Sequence, residues 1–487
     1  MLFTLYLMPE KNSWYCILIQ SINLHEDRLF SSDVTQRAIA RRLYKTVKDL
    51  PIVSPHGHTD PEWFAENRCF SNASDLLIKP DHYLLRMLFS QGITMAELGF
   101  DDGCTNAEQD PLKIWRVFAK HYYQFQGTPT RLWLDYVFKI VFDLEEELCC
   151  ENADAYFRHI TRCLQTDEFR PRELFEKFNI EVIATTESPL DDLRHHAKIA
   201  ESGWKGKVIT AFRPDNVVDP EYEGFEQNLT TLSNITKVNI DSFSGYLDSL
   251  KSRRLFFKKM GATSTDHGHL TARTLDLDSQ SKEALYQKIR SQKFSSADAD
   301  DFRAQMLTEM ASMSVEDGLV MQIHPGVYRN HNELLFQRYG RDKGADIPLV
   351  SEYVENLRPL LNRYGCHPDF SLIIFTLDET CYARELAPLA GHYPALKLGP
   401  AWWFNDSPEG MARFRKQTTE TAGFYNTVGF NDDTRAFLSI PARHDVARRV
   451  DCAFLAELVA DHRITEVQAE SILFELSYNL VKKAYLL

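Results

Sequence analysis

The stretch PIVSPHGH, residues 51–58, is a short apolar run that breaks into Pro55 and then into His56-Gly57-His58. Runs of this kind, rich in β-formers and ending abruptly in polar or Pro/Gly residues, read as buried strands. Seven more follow: IEVIATTES (180–188), KVITAFRPD (207–215), FFKKMGATSTDHG (256–268), LVMQIHPG (319–326), SLIIFTLDE (371–379), LKLGPAWWF (396–404) and NTVGFNDDTR (426–435). Helical patterns such as DDLRHHAKIAESG (191–203) separate most of them. Short strands alternating with helices argue for a parallel α/β sheet, and eight such units fit one closed (β/α)₈ barrel of the TIM type. A doubly wound open sheet is the structural alternative.

The interval 61–175 is too long for one crossover. PLKIWRVFAKHYYQF (111–125) and LWLDYVFKIVFDLEEEL (132–148) carry apolar residues at helical spacing, so it reads as a large helical insertion after the first strand. From Asp445 onward, Val450, Phe454, Leu458, Leu473, Leu476 and Leu480 predict extra closing helices. Residues 1–28 read as a poorly ordered extension and 29–487 as one unit, since no Gly/Pro/Ser-rich linker divides them.

Composition narrows the class of function. With 44% hydrophobic and 25% charged residues among 487, the chain is an ordinary globular one. A net charge of −14 argues against a general nucleic-acid binder, which gains affinity from excess basic residues. A small anionic substrate remains allowed, provided arginines are placed locally to receive it. No run reaches the ~20 apolar residues that span a bilayer, so no membrane partner is expected. The nine cysteines form no C-x-x-C pair and are odd in number, and the start carries no cationic leader. Both features point to a reducing cytoplasm.

The barrel places chemistry at the C-terminal ends of strands, where His56, His58, Asp215, His267, His324, Trp402 and Asp433 would fall. On a strand, residues i and i+2 point the same way, so His56 and His58 can converge on one ion. Closing the ring brings the eighth run beside the first, and the carboxylate of Asp433 into reach. Imidazole plus carboxylate suits one divalent metal, Zn²⁺ ahead of Mn²⁺ or Fe²⁺. His267 and His324 could complete or back that site, and either could equally be a hydrogen-bonded core histidine. No early or middle strand end carries a lysine able to bridge two metals, which favours a single ion. Asp81 reads as a helix N-cap. Tyr83 could relay a proton or polarise an oxygen, or simply pack. Arg172, Arg213 and Arg329 could bind a carboxylate, with surface ion pairs as the alternative. Of Trp402 and Trp403, only one can point inward from an extended segment.

SPHGHTDP, DHY (81–83), TTESP with DDL after it, FRPD, STDHG, MQIHPGVYRN, GPAWWFND and DDTRAFLS occur in this order. Together they resemble the uronate isomerases of the amidohydrolase superfamily, from about Ala38 to the C-terminus. The resemblance implies a metal-dependent, usually zinc-dependent, enzyme that interconverts aldehyde uronates such as glucuronate with their 2-keto isomers. It implies His56, His58 and Asp433 as metal ligands, with Asp433 also the base. It places His82, Tyr83, Arg172, Asp215, Arg329, Trp402 and Arg435 around the substrate, with Tyr83 and Arg435 assisting the chemistry. Two departures stand out: Glu187-Ser188 where the family has two aspartates, and His331 in RNHN. A mononuclear hydrolase and a catalytically inactive uronate-binding protein are the competing readings, and a homo-oligomer stays open.

Overall fold

The structure, a computed structural model, describes residues 20–104 and 106–487. Its strands are β1 (Ile52–Ser54), β2 (Ile180–Glu187), β3 (Lys207–Phe212), β4 (Ser264–His267), β5 (Val320–Ile323), β6 (Val327–Tyr328), β7 (Ile347–Pro348), β8 (Leu372–Ile374) and β9 (Leu396–Leu398). Seven form one parallel sheet in the order β1-β2-β3-β4-β5-β8-β9, while β6 and β7 make a separate antiparallel ribbon. Neighbours in this sheet follow chain order with no reversal. A doubly wound sheet would turn back at a switch point, so the barrel-type α/β reading holds.

The eighth run behaves differently from a full strand. Among the described residues it contributes one parallel bridge, Leu398 to Thr427, and one link to the first strand's loop, His58 N–H to the Thr434 carbonyl at 3.1 Å. Left-handed backbone at Gly429 (φ +78°) and Asp433 (φ +37°) interrupts the extended geometry that a ladder needs. Gly429 is required there, because an added Cβ would stand 2.5 Å from the Leu476 carbonyl oxygen. The fourth run also starts later than expected. Phe256–Lys259 ends the helix Phe243–Lys259, Gly261 turns the chain at φ +96°, and only Ser264–His267 pairs as β4.

Strands buried on both faces need apolar partners inside and outside. Val53, Val182, Ile209, Val320, Ile373 and Val428 form the inner cluster. The C-terminal helix Leu480–Tyr485 plugs this ring from below: the Tyr485 hydroxyl donates to Gln322 Oε1 at 2.9 Å and accepts from Asn431 Nδ2 at 3.3 Å. The region from Pro61 to Lys177 is helical and has its own core around Trp115, Phe118, Tyr122 and Phe138. Aspartates cap three of its helices, and two of them, Asp60 and Asp110, each precede a proline at the first turn, where the missing N–H costs nothing.

The expected closing helices are Ile440–Ala460, Glu466–Phe474 and Leu480–Tyr485. Residues 1–19 lie outside the described residues. Residues 20–28, grouped with them as poorly ordered, are instead held to the body. Ile22 is buried and donates its N–H to the Glu145 carbonyl at 2.8 Å, and Arg28 pairs with Asp445. Ile22, with the partly buried Leu24 packed on the same core, anchors a segment whose composition is otherwise polar. Among the described residues no helix is long and apolar enough to cross a membrane.

Candidate active site and metal centre

Pro55 and Gly57 carry the chain away from β1 so that His56 and His58 face Asp433. Both Nε2 atoms lie 3.3 Å from Asp433 Oδ1. Tetrahedral ligands bound at about 2.0–2.1 Å stand about 3.3–3.4 Å apart. Both imidazole–carboxylate spacings match that figure, all three donor atoms lie within 4.8 Å of one another, and Asp433 Oδ1 is buried without a hydrogen-bond partner. Burial opposes charge on all three groups. The two imidazoles nevertheless hold the Asp433 carboxyl well below its ordinary range, while Asp266 and Asp433 raise His56; His58 is lowered, because burial together with the neighbouring His56 outweighs the pull of Asp433. The left-handed backbone at Asp433 is supported from behind, where Asp432 Oδ2 lies 3.0 Å from His444 Nε2 on the helix Ile440–Ala460.

β4 brings in a carboxylate that the sequence reading passed over. Asp266, fully buried, hydrogen-bonds His324 Nε2 and lies 3.2 Å from Arg213 Nη1, and His56, Asp266 and His324 form a second potential ligand set. His267 turns the other way, its Nε2 3.1 Å from Thr265 Oγ1. It therefore does not join His56 and His58, and groups instead with Asp215 and His269. Successive strand residues alternate faces, so Asp266 and His267 cannot both enter the site. His324 does enter it, its ring centroid 5.9 Å from that of His56.

Above these three side chains opens a cavity of about 590 Å³, ample for a small-molecule ligand. His58, His82, Tyr83, Asp215, His324, Arg329, Trp402, Asp433 and Arg435 all line it. Asp81 caps the helix His82–Ser90 through the N–H groups of Tyr83 and Leu84, which fixes His82 and Tyr83 over the barrel mouth. Burial and the Arg435 charge lower the His82 imidazole to about 3, so it is neutral at physiological pH. Arg435 lies 3.2 Å from Asp342, and Arg329 donates to Asp346 at 2.8 Å while lying 4.9 Å over Trp403. Asp215 accepts from Arg213 Nε at 2.8 Å and from Gly268 N–H at 3.1 Å, a glycine whose added Cβ would meet Arg213 at 2.4 Å. Trp402 packs on His324 and Phe375, while Trp403 meets His82. Both tryptophans reach the cavity because the segment is not extended: φ is +27° at Trp403 and +36° at Phe404.

A sequence profile of the glucuronate isomerase family matches residues 27–485. The uronate isomerase of Sphingopyxis alaskensis is 62% identical over 466 residues, covering 95% of this chain and 98% of that protein. That of Phenylobacterium zucineum is 61% identical over 468 residues, covering 96% and 98%. The crystal structure of glucuronate isomerase from Caulobacter crescentus superposes with a TM-score of 0.94 at 59% identity, covering 96% of this chain and 97% of that one. The chain belongs to the glucuronate (uronate) isomerase family. A more distant uronate isomerase structure, from Thermotoga maritima, keeps a TM-score of 0.88 at 27% identity over 95% of this chain and 99% of its own.

Arg172 is the one substrate residue implied by the family resemblance that the fold sends elsewhere. It sits on the helix Pro171–Lys177 leading into β2, donates from Nε to the Phe64 carbonyl at 2.8 Å and stacks 5.1 Å over Trp204, away from the cavity wall. Arg172→Ala is expected to leave kcat and KM within about twofold and to destabilise the fold by about 1 kcal/mol, the scale of one hydrogen bond with a cation–π contact. Steady-state kinetics beside a thermal melt separate the two effects; a tenfold rise in KM would return Arg172 to the site.

Glu187 lines the cavity and accepts from the hydroxyls of Thr185, at 2.9 Å, and Thr210. Burial raises its carboxyl from 4.5 to about 7, against those two hydrogen bonds. A carboxyl raised on folding contributes stability that is fully present below pH 4.5 and is lost as pH rises through about 7. Glu187→Gln is therefore expected to gain on the wild type by up to about 3 kcal/mol between pH 4.5 and 8, at about 1.4 kcal/mol per pKa unit. Urea denaturation at the two pH values reads the difference, and a constant gap between the proteins would contradict the assignment.

Proposed function

We propose that the protein interconverts D-glucuronate with D-fructuronate, and D-galacturonate with D-tagaturonate, using one divalent ion held by His56, His58 and Asp433. The observation that carries this reading is the 3.3 Å spacing of both Nε2 atoms from one unpartnered carboxylate oxygen at the floor of a cavity ringed by arginines. Zinc suits two neutral imidazoles and a carboxylate best. When bound, such an ion supplies positive charge that orients and polarises substrate oxygens.

The remaining work falls to side chains. Isomerisation removes a proton from the carbon next to the carbonyl and returns it to the adjacent carbon through an enediol. Asp433, held ionised by its neighbours, is placed to carry that proton. Arg435 offsets the negative charge that develops on oxygen, and Arg329 with Arg435 meets the anionic substrate against the protein's overall charge of −14. Neutral His82 presents a ring nitrogen, Nε2, that lacks a protein hydrogen-bond partner. Tyr83 assists at a substrate oxygen. Asp215 fixes Arg213 and the Gly268 backbone at the cavity wall.

We also assign the protein to the cytoplasm. The eight cysteines among the described residues are all free, as expected in a reducing compartment. The test of function is to incubate the protein with D-glucuronate before and after chelation. Metal-dependent appearance of a ketose, with no leaving group released, supports isomerisation; hydrolysis of lactones without ketose formation would favour a mononuclear hydrolase.

A further inference from the structure

Tyr83 is tied to two buried charges far away in sequence. Its hydroxyl donates to Asp406 Oδ1 at 2.8 Å and accepts from the Phe404 N–H at 2.9 Å. The other oxygen of Asp406 accepts from Arg443 Nη1 at 2.7 Å. Arg443 is clamped in turn, its guanidinium 3.6 Å over the Trp133 ring and its Nε 3.1 Å from Ser439 Oγ. Asp406 is 6% exposed and Arg443 3% exposed. Tyr83 and Arg443 touch the cavity, whereas Asp406 is absent from its wall and reaches a ligand only through them.

Burying an ion pair is expensive, and apolar residues of similar size commonly stabilise a fold as well or better. The pair therefore calls for a role beyond holding helices together. A phenol has one proton to give and two acceptor positions. The Phe404 N–H fills one acceptor position and Asp406 takes the proton, which leaves a single acceptor position on the oxygen. Whatever Tyr83 offers a ligand is thus decided by Asp406.

We propose that Asp406, anchored by Arg443, is a positioning residue for turnover: it sets the direction of the Tyr83 hydroxyl proton and so the hydrogen-bonding face that the phenol turns toward the substrate. This rests on the reading of Tyr83 as a substrate-facing group. An amide at position 406 would offer one acceptor to two donors, Tyr83 and Arg443, so the phenol would have to turn.

A double-mutant cycle tests this, with Tyr83→Phe, Asp406→Asn and the double variant assayed on D-glucuronate alongside metal content and thermal melts. Asp406→Asn is expected to lower kcat roughly 10- to 100-fold, the loss typical when a group behind an active residue is changed. KM should change less than about threefold and one equivalent of metal should remain. In the Tyr83→Phe background the same substitution should cost less than about threefold, because the residue it acts through is gone. Losses that multiply in full, or an Asp406→Asn protein with wild-type kcat, would overturn the proposal. Should Asp406→Asn fail to fold, Arg443→Lys, which keeps the charge but not the fork, enters the same cycle with the same two outcomes. A wild-type protein that forms no ketose overturns the functional reading and the proposal together; a fully active Tyr83→Phe, or multiplying losses in an active enzyme, overturns the proposal alone.

Discussion

Asp433→Asn is expected to lower kcat roughly 10³- to 10⁴-fold, the upper part of what a positioned proton-transfer group contributes and about 4–5.5 kcal/mol of barrier. Asparagine isolates the proton-transfer role better than alanine would. Apart from glycine, Asn, Asp and His are the residues that most readily adopt left-handed backbone, and position 433 has φ +37°. The amide also keeps an oxygen near His56 and His58, so part of the metal should remain. Turnover is therefore to be measured at saturating metal, with metal content determined on the same sample. The second readout is isotopic: with substrate deuterated at C2, the wild type should move or wash out the label, and Asp433→Asn should do neither. A variant that retains metal and more than a tenth of wild-type kcat would remove Asp433 from the base role.

The next largest effect is expected from His58→Ala. This imidazole is about a quarter exposed, unlike His56, so truncating it leaves little cavity and a melt close to wild type. Two of the three donors remain, with water able to enter the third position. Changing a residue merely behind a metal ligand costs about 10- to 100-fold in affinity, so loss of a direct ligand should cost more than about 100-fold. Activity should be absent in protein purified without added metal and partly restored by a large excess. Equilibrium dialysis gives the affinity and steady-state assays the rescue. Wild-type affinity in His58→Ala would move the ion to another donor set, such as His56, Asp266 and His324.

Much of this arrangement was readable from residues alone, for identifiable reasons. Strands buried on both faces are apolar runs with sharp ends, so seven of the eight runs coincide with strands of the sheet. The eighth run failed as a ladder because left-handed residues at Gly429 and Asp433 break its extension, and an Asp-rich segment gives no advance notice of which residue will adopt that conformation. His-x-His was legible from its place just past an apolar run, although the two rings converge on Asp433 from the loop after β1 and not from the strand itself. Strand parity hid Asp266: in STDH every residue is polar or small, so alternation exists but nothing marks the inward face. The fold resolves it, with Thr265 and His267 bonded to each other and Asp266 turned to His324 and Arg213.

The other misses have a different origin. Arg172 looked like a carboxylate binder, but its helix leads into β2 and its guanidinium is taken by Phe64 and Trp204. Arg443 carried no signal, since it lies in a helix whose every face is covered and whose polar residues look like ordinary surface positions. Only three-dimensional closure, bringing residues 83, 406 and 443 together, shows that its charge is spoken for.

The account depends on where one ion sits. Anomalous diffraction at the zinc edge, on crystals of catalytically active protein, should show a single strong peak within about 2.0–2.2 Å of His56 Nε2, His58 Nε2 and an Asp433 carboxylate oxygen. A peak centred instead on Asp215, His267 and His269, or full turnover by crystals with no peak among the first three side chains, would contradict it.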